Sequence, residues 1–185
     1  MVGRPEHSGN GYDRAVTAAR TRALDIVIRA GVTHRLHTYE SPERHGRERD
    51  ERPSYGSDAA SALGVMPGRV LKTLVAAVDG RLVLAVVPVD RELDLKRLAD
   101  AVGGRRAVMA EPTDAERATG FVVGGISPLG SRRRLPVVVD VSAMDHETVF
   151  ISAGRRGLQV ELAPLDLVRL GGAHSASISR TIGPG

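Results

Sequence analysis

The sequence predicts a single α+β or mixed α/β domain built on a partly antiparallel sheet. Three observations predict it. Two apolar runs, Val70–Val78 and Arg81–Val89, flank Asp79-Gly80, a dipeptide that accepts the positive φ angles of a two-residue hairpin turn. Further short β-type runs stand at 136–140, 148–152 and 158–161. Helical stretches separate these strands without the regular alternation of a doubly wound sheet. At 185 residues the chain is long enough to bury one real core.

Each element has a local reason. Residues 1–12 are polar and glycine-rich and are expected to be a disordered extension. Residues 14–30 read as a helix capped by Asp13 and ended by Gly31. Val32–Tyr39 follows as a strand. Glu40–Ser54 is densely charged, with no apolar residue to bury, and reads as a solvated loop. Ser57 is expected to cap a short helix that stops at Gly64. Asp94 caps a helix over Leu95–Val102, ended by Gly103-Gly104. Thr113 and Glu116 have capping-box spacing for a helix ending at Gly120. Pro164 suits the first turn of a last helix that runs to Leu170. The domain is thus expected over 13–170, with a flexible tail from 171 to 185.

Composition narrows the function. Hydrophobic residues make up 42% and charged residues 26%, ordinary for a globular protein. No apolar run reaches membrane-spanning length, and the N-terminus lacks the apolar core of a signal peptide; the cytoplasm is the expected location, with no membrane partner. Zero cysteines excludes disulfides, thiolate metal sites and a catalytic thiol from the protein. The six histidines lack metal-ligand spacing, so no metal and no cofactor are expected. The net charge of +4 is patchy: Arg105-Arg106, Arg132–Arg134 and Arg155-Arg156 are clusters that suit a phosphate-bearing partner. Aromatics are only 3%, against a base-stacking sheet.

Two places carry chemistry. Gly120–Gly130, GFVVGGISPLG, holds four glycines and a proline beside Arg132, Arg133 and Arg134. Its Gly-Gly pair serves either a tight turn or an anionic ligand lying on bare backbone. Neither a dinucleotide fingerprint nor a P-loop is present. Lys72 is the one charged residue in the strand VLKTLVAAV. It either snorkels to water at the strand end or holds a phosphate or carbonyl oxygen as a point charge.

Five ordered strings resemble the YbaK/EbsC family of aminoacyl-tRNA deacylases: LHTYE at 36–40, LKTLVA at 71–76, LDLKRLADAVG at 93–103, TGFVVGGISPLG at 119–130 and ISAGRRGLQVEL at 151–162. The resemblance spans about residues 20–170 and is strongest to the YbaK branch, which acts on Cys-tRNA(Pro). It implies a barrel-like sheet with surrounding helices. Lys72 is then the family's essential lysine, at the terminal adenosine or its phosphate, with Thr73 beside it. Tyr39 lines the same crevice, and Tyr55 stands where phenylalanine is usual. Gly124, Gly125, Ile126, Ser127 and Pro128 frame the scissile ester, with Gly124 and Gly125 as backbone donors. Ser152 forms the opposite wall with Gly154. Arg132–Arg134, Arg155 and Arg156 would contact tRNA phosphates, and prolyl-tRNA synthetase is the implied partner. The long 40–54 loop and Ala153, where the family has glycine, are departures.

An editing enzyme restores fidelity that a synthetase pocket cannot reach, because one methylene is worth only roughly 1–3 kcal/mol. It must hold the tRNA 3′ end and stabilise an oxyanion. This chain offers no nucleophile elbow, and Ser127 and Ser152 lack a histidine at motif spacing. The resemblance implies that a cysteinyl thiol attacks its own ester. A deacylase for another amino acid, such as one acting on Ala-tRNA(Pro), and a non-catalytic module for tRNA ends or nucleotides remain alternatives.

Overall fold

The computed structural model describes residues 20–40 and 55–182. Among them lie five α-helices and ten strands. The chain order is α1 (Arg22–Ala30), β1 (His34–Thr38), α2 (Tyr55–Leu63), β2 (Leu71–Val78), β3 (Arg81–Pro88), β4 (Arg91–Leu93), α3 (Leu95–Ala101), β5 (Ala107–Met109), α4 (Pro112–Thr119), β6 (Val137–Asp140), β7 (Val149–Ser152), β8 (Leu158–Leu162), α5 (Pro164–Gly171), β9 (His174–Ala176) and β10 (Ser179–Thr181). The expected N-terminal extension and most of the 40–54 loop lie outside the described residues.

The β2–β3 hairpin organises the fold. Asp79 and Gly80 take φ of 47° and 81°, so both turn residues are left-handed, as a type I′ turn requires. The Asp79 carboxylate also accepts the Arg105 and Arg106 N–H groups at 2.8 and 3.1 Å, which docks the chain leading into β5. The main sheet runs β5-β2-β3-β6-β9, antiparallel at β5-β2-β3 and parallel at β3-β6-β9. A second sheet, β1-β8-β7, is antiparallel, and β4 pairs with β10. The strands expected in one barrel-like sheet are thus shared among three. A parallel bridge between Val70 and Phe150 joins the two larger ones.

β3 explains why its sequence is apolar throughout. Leu84 and Val86 enter the core packed against α1, α5 and the β1-β8-β7 sheet. Val83, Ala85 and Val87 enter a second cluster with Leu98 of α3 and Ile178. Successive side chains point to opposite faces, so a strand covered on both sides has no polar face.

Local reading succeeds at Asp94, whose carboxylate accepts the Arg97 N–H at 3.1 Å, and at Pro164, in the first turn of α5. It fails elsewhere. The helix expected over 14–30 begins at Arg22, because Thr21 is its cap and accepts the Leu24 N–H at 3.1 Å; residues 14–19 lie outside the described part. Ser57 sits inside α2, not at its cap. Thr113 is interior to α4, because Pro112 occupies the first turn after Glu111. Residues beyond Gly171 are not a featureless tail: β9 extends the main sheet, and β10 pairs with β4. Ile178 is fully buried between them. The buried Asp140 carboxylate accepts the Ile178 N–H at 3.0 Å and the Ser142 N–H at 3.1 Å.

Burial pushes the Asp140 carboxyl up, and the hydrogen bonds from Ser142 and Ile178 outweigh it, holding the group below the ordinary 3.8. The stability it contributes is present above its unfolded value and is lost as pH falls through the lowered folded value. Asp140→Asn is therefore expected to lower the unfolding free energy by about 1–3 kcal/mol at neutral pH, with the gap to the parent closing in acid. Denaturant titrations across pH check this.

Candidate active site

A cleft of about 430 Å³ opens between the start of β2 and the glycine-rich segment before Pro128. Lys72 and Gly124 both line it, with Tyr39, Thr73, Ile126 and Ser152. Residues from four separate parts of the sequence therefore converge.

β2 delivers Lys72 one residue inside the strand, opposite Val87. The side chain is half-buried, and its Nζ donates weakly to the Val89 carbonyl at 3.4 Å. Burial pushes the ammonium below its usual 10.5, while Glu92 and Asp90 pull it back up. Lys72 is a partly desolvated cation on the cleft wall.

The two glycines of the pair have different reasons. Gly124 has φ +85°, a backbone that other residues rarely adopt. Gly125 has no such φ; instead, a Cβ there would stand 3.0 Å from the Arg156 nitrogen and 3.1 Å from the Arg155 carbonyl carbon. Gly125 is required because the β7–β8 loop lies directly on it. Its N–H donates to the Val122 carbonyl at 2.9 Å, so it is not the second oxyanion donor the sequence suggested. The Gly124 N–H has no acceptor among the described residues.

Ser152 is buried, and its hydroxyl is committed: it donates to the Gly125 carbonyl at 2.9 Å and accepts the Gly154 N–H at 3.2 Å. It braces the glycine turn. Other expected contacts lie off the cleft. Ser127 is fully buried and its Oγ accepts the Leu129 N–H at 3.2 Å. Pro128 is buried, with its carbonyl near Gly171. Gly154, φ +94°, packs under Phe121, whose Cε1 would be 2.7 Å from an added Cβ. α2 begins at Tyr55, whose side chain lies outside the described residues. Arg132, Arg133, Arg134 and Arg155 are exposed. Arg156 is exposed but tethered: its Nε and Nη2 donate to the Val123 carbonyl at 2.9 and 2.6 Å.

Sequence reading missed Gln159. It is only 7% exposed, lines the cleft, and its Oε1 has no partner among the described residues. Thr73 Oγ1 is in the same condition. Both atoms are buried within residues that line the cleft, and buried polar atoms without partners are costly. The sequence carries no signal for Gln159: in LQVEL, Gln159 and Glu161 are the polar positions of an ordinary strand alternation. No histidine, aspartate or glutamate lines the cleft among the described residues. His37 is instead held at 2.9 Å by Glu161.

Because the lysine pKa is lowered, its charge is lost as pH rises through a value below 10.5. Binding of adenosine monophosphate, as an anionic probe, is expected to weaken across that range, and Lys72→Met is expected to bind poorly with no such step. Calorimetry across alkaline pH reads both.

The chain matches the family described as the aminoacyl-tRNA editing domain over residues 52–170. EbsC of Enterococcus faecalis, named as a candidate Cys-tRNA(Pro)/Cys-tRNA(Cys) deacylase, is 33% identical over 88% of this chain and 95% of its own length. ProXp-y of Escherichia coli, named a multifunctional Ser/Thr-tRNA deacylase, is 31% identical over 64% of this chain and 74% of its own. A crystal structure described as a candidate trans-editing enzyme for prolyl-tRNA synthetase shares the fold, with a TM-score of 0.71 at 24% identity over 94% of this chain and 99% of that one. With the editing domain matched across all the cleft-lining residues but Tyr39 and EbsC aligned along almost its whole length, the chain belongs to the aminoacyl-tRNA editing domain family, in its YbaK/EbsC group of deacylases.

Proposed function

We propose that this protein is a trans-editing deacylase acting on Cys-tRNA(Pro), and that the substrate's own thiol cleaves the ester. The observation that carries this reading is the composition of the cleft wall. It is lined by one ammonium and by Gly124, whose N–H has no acceptor among the described residues. No histidine or carboxylate lines it among the described residues, the Ser152 hydroxyl is committed, and the buried Thr73 hydroxyl has no base in the lining. Such a site can bind, orient and stabilise charge, but reactivity must come from the cargo.

The roles follow from the chemistry of each group. Lys72 holds the terminal adenosine or its phosphate. The cysteinyl sulfur attacks the ester carbon, and the carbonyl oxygen becomes an oxyanion facing the Gly124 N–H. The bond to the ribose oxygen then breaks, that oxygen takes the proton lost by the thiol, and cysteine leaves as a four-membered thiolactone. Holding sulfur and carbon in a near-attack geometry supplies the entropic part of the acceleration, and a preorganised donor supplies the electrostatic part. The exposed Arg132–Arg134 and Arg155 add sequence-independent phosphate contacts, with prolyl-tRNA synthetase as the delivering partner in the cytoplasm. The kinship with ProXp-y favours one further reading, in which the same site clears a tRNA charged with another small amino acid.

The test follows ester loss from Cys-, Ala-, Ser- and Pro-charged tRNA(Pro). The thiol mechanism requires rapid loss of cysteine only and release of the thiolactone. Ala-tRNA(Pro) turned over as fast would refute it, and binding without turnover would favour a non-catalytic module. Lys72→Ala and Gly124→Val are each expected to abolish deacylation: the first removes the cation, and the second disrupts the φ +85° turn that aims the N–H, an oxyanion donor whose loss alone costs on the order of 10²–10³ in rate. Replacing Arg132, Arg133 and Arg134 by alanine is expected to weaken tRNA binding and flatten its salt dependence by nearly one unit of slope per phosphate lost. Filter binding across a salt series measures that.

A further inference from the structure

Val123 is gripped from both sides by opposite charges. Its N–H donates to the Glu116 carboxylate of α4 at 2.8 Å. Its carbonyl accepts both the Nε and the Nη2 of Arg156, at 2.9 and 2.6 Å, from the β7–β8 loop. Seven and thirty-three residues separate these partners from Val123, so the grip belongs to the tertiary structure.

The Val123 carbonyl and the Gly124 N–H are two ends of one peptide unit. That unit is planar and trans, so its C=O and N–H point in opposite directions. Fixing the oxygen fixes the hydrogen. The oxygen is held by an exposed guanidinium, and the N–H at the other end belongs to a residue that lines the cleft and has no acceptor among the described residues. Two charge-assisted bonds to one oxygen hold the plane more firmly than a neutral contact. They also draw electron density toward that oxygen, which strengthens the opposite N–H as a donor. Gly124 at φ +85° lets the chain continue into Gly125 from this fixed plane, and the Arg155–Arg156 backbone seated on Gly125 keeps the guanidinium close.

We infer that Arg156 is a positioning residue that aims the Gly124 N–H at the developing oxyanion, with Glu116 holding the preceding peptide, and not a tRNA-phosphate contact. The inference rests on the deacylase reading of the cleft.

The experiment compares Arg156→Gln, Arg156→Lys, Glu116→Gln and Glu116→Ala in the full chain. Two measurements are made: single-turnover deacylation of Cys-tRNA(Pro), and the amide resonance of ¹⁵N-labelled Gly124. Arg156→Gln is expected to lower the saturating rate at least about tenfold, toward the 10²–10³ of a lost donor. Half-saturation and salt slope stay unchanged, and the Gly124 resonance moves. Arg156→Lys, which keeps charge and fewer donors, loses less. Glu116→Gln, which keeps an acceptor oxygen, loses less than Glu116→Ala. An unchanged saturating rate, with weaker half-saturation and a salt slope flatter by about one unit, would make Arg156 a phosphate contact and overturn the inference. So would a Gly124 resonance that stays in place. If the parent protein discharges none of the charged tRNAs, the deacylase reading fails. The resonance then decides the positioning claim by itself: displacement supports it, and constancy overturns it.

Discussion

The backbone of residues 155–156 lies against Gly125, and much of the site depends on that contact. It leaves little room for a side chain: an added Cβ would meet main-chain atoms at 3.0–3.2 Å. The approach brings the end of β7 and the start of β8 onto the glycine turn, so that Ser152 reaches the Gly125 carbonyl and Arg156 reaches Val123. The other end of the same loop is fitted as tightly. A Cβ on Gly157 would stand 2.6 Å from the Tyr39 carbonyl oxygen, and Tyr39 N–H donates to Gly157 at 3.0 Å. One loop thus sets both the donor turn and the tyrosine wall.

Against this rigid side stands β2. It is the second strand of a five-stranded sheet and carries a lysine at its first half-turn, where the bridge from Val70 to Phe150 ties it to the smaller sheet. The cleft lies beside that junction of the two sheets, with Val70 in its lining. Its lining carries one partly desolvated cation and a bare N–H. Both favour an anion or a carbonyl oxygen.

Charge in this protein works mainly to hold backbone. Arg22 donates to the Thr119 carbonyl at 2.8 Å and lies 4.9 Å over the Phe121 ring. Asp79 docks β5, Asp140 anchors the C-terminal strands, and Glu116 and Arg156 grip Val123. Hydrogen bonds to charged groups are worth roughly 1.5–3 kcal/mol against about 1 for neutral ones. They suit loops that must keep one shape without packing to help them.

What the sequence by itself determined is what local chemistry decides. Asp79-Gly80 is a hairpin turn because of its own φ preferences. Asp94 caps because its carboxylate reaches three residues on. Pro164 starts a helix because it needs no N–H there. Where a local rule had a competitor it misled: the Thr113–Glu116 spacing yielded to Pro112, and Glu116 went to Val123 instead. The shared cleft of Lys72 and Gly124 was anticipated through the family's ordered motifs, since no spacing along the chain states it. Only tertiary structure decided the rest. It separated the two glycines into one kept for φ and one kept for close packing. It moved Ser127 and Gly154 off the cleft and brought Gln159 into it. It turned a glycine- and serine-rich tail into two paired strands through one buried isoleucine and one carboxylate. These outcomes depend on distances between residues far apart in sequence, and such distances exist only once the core has closed.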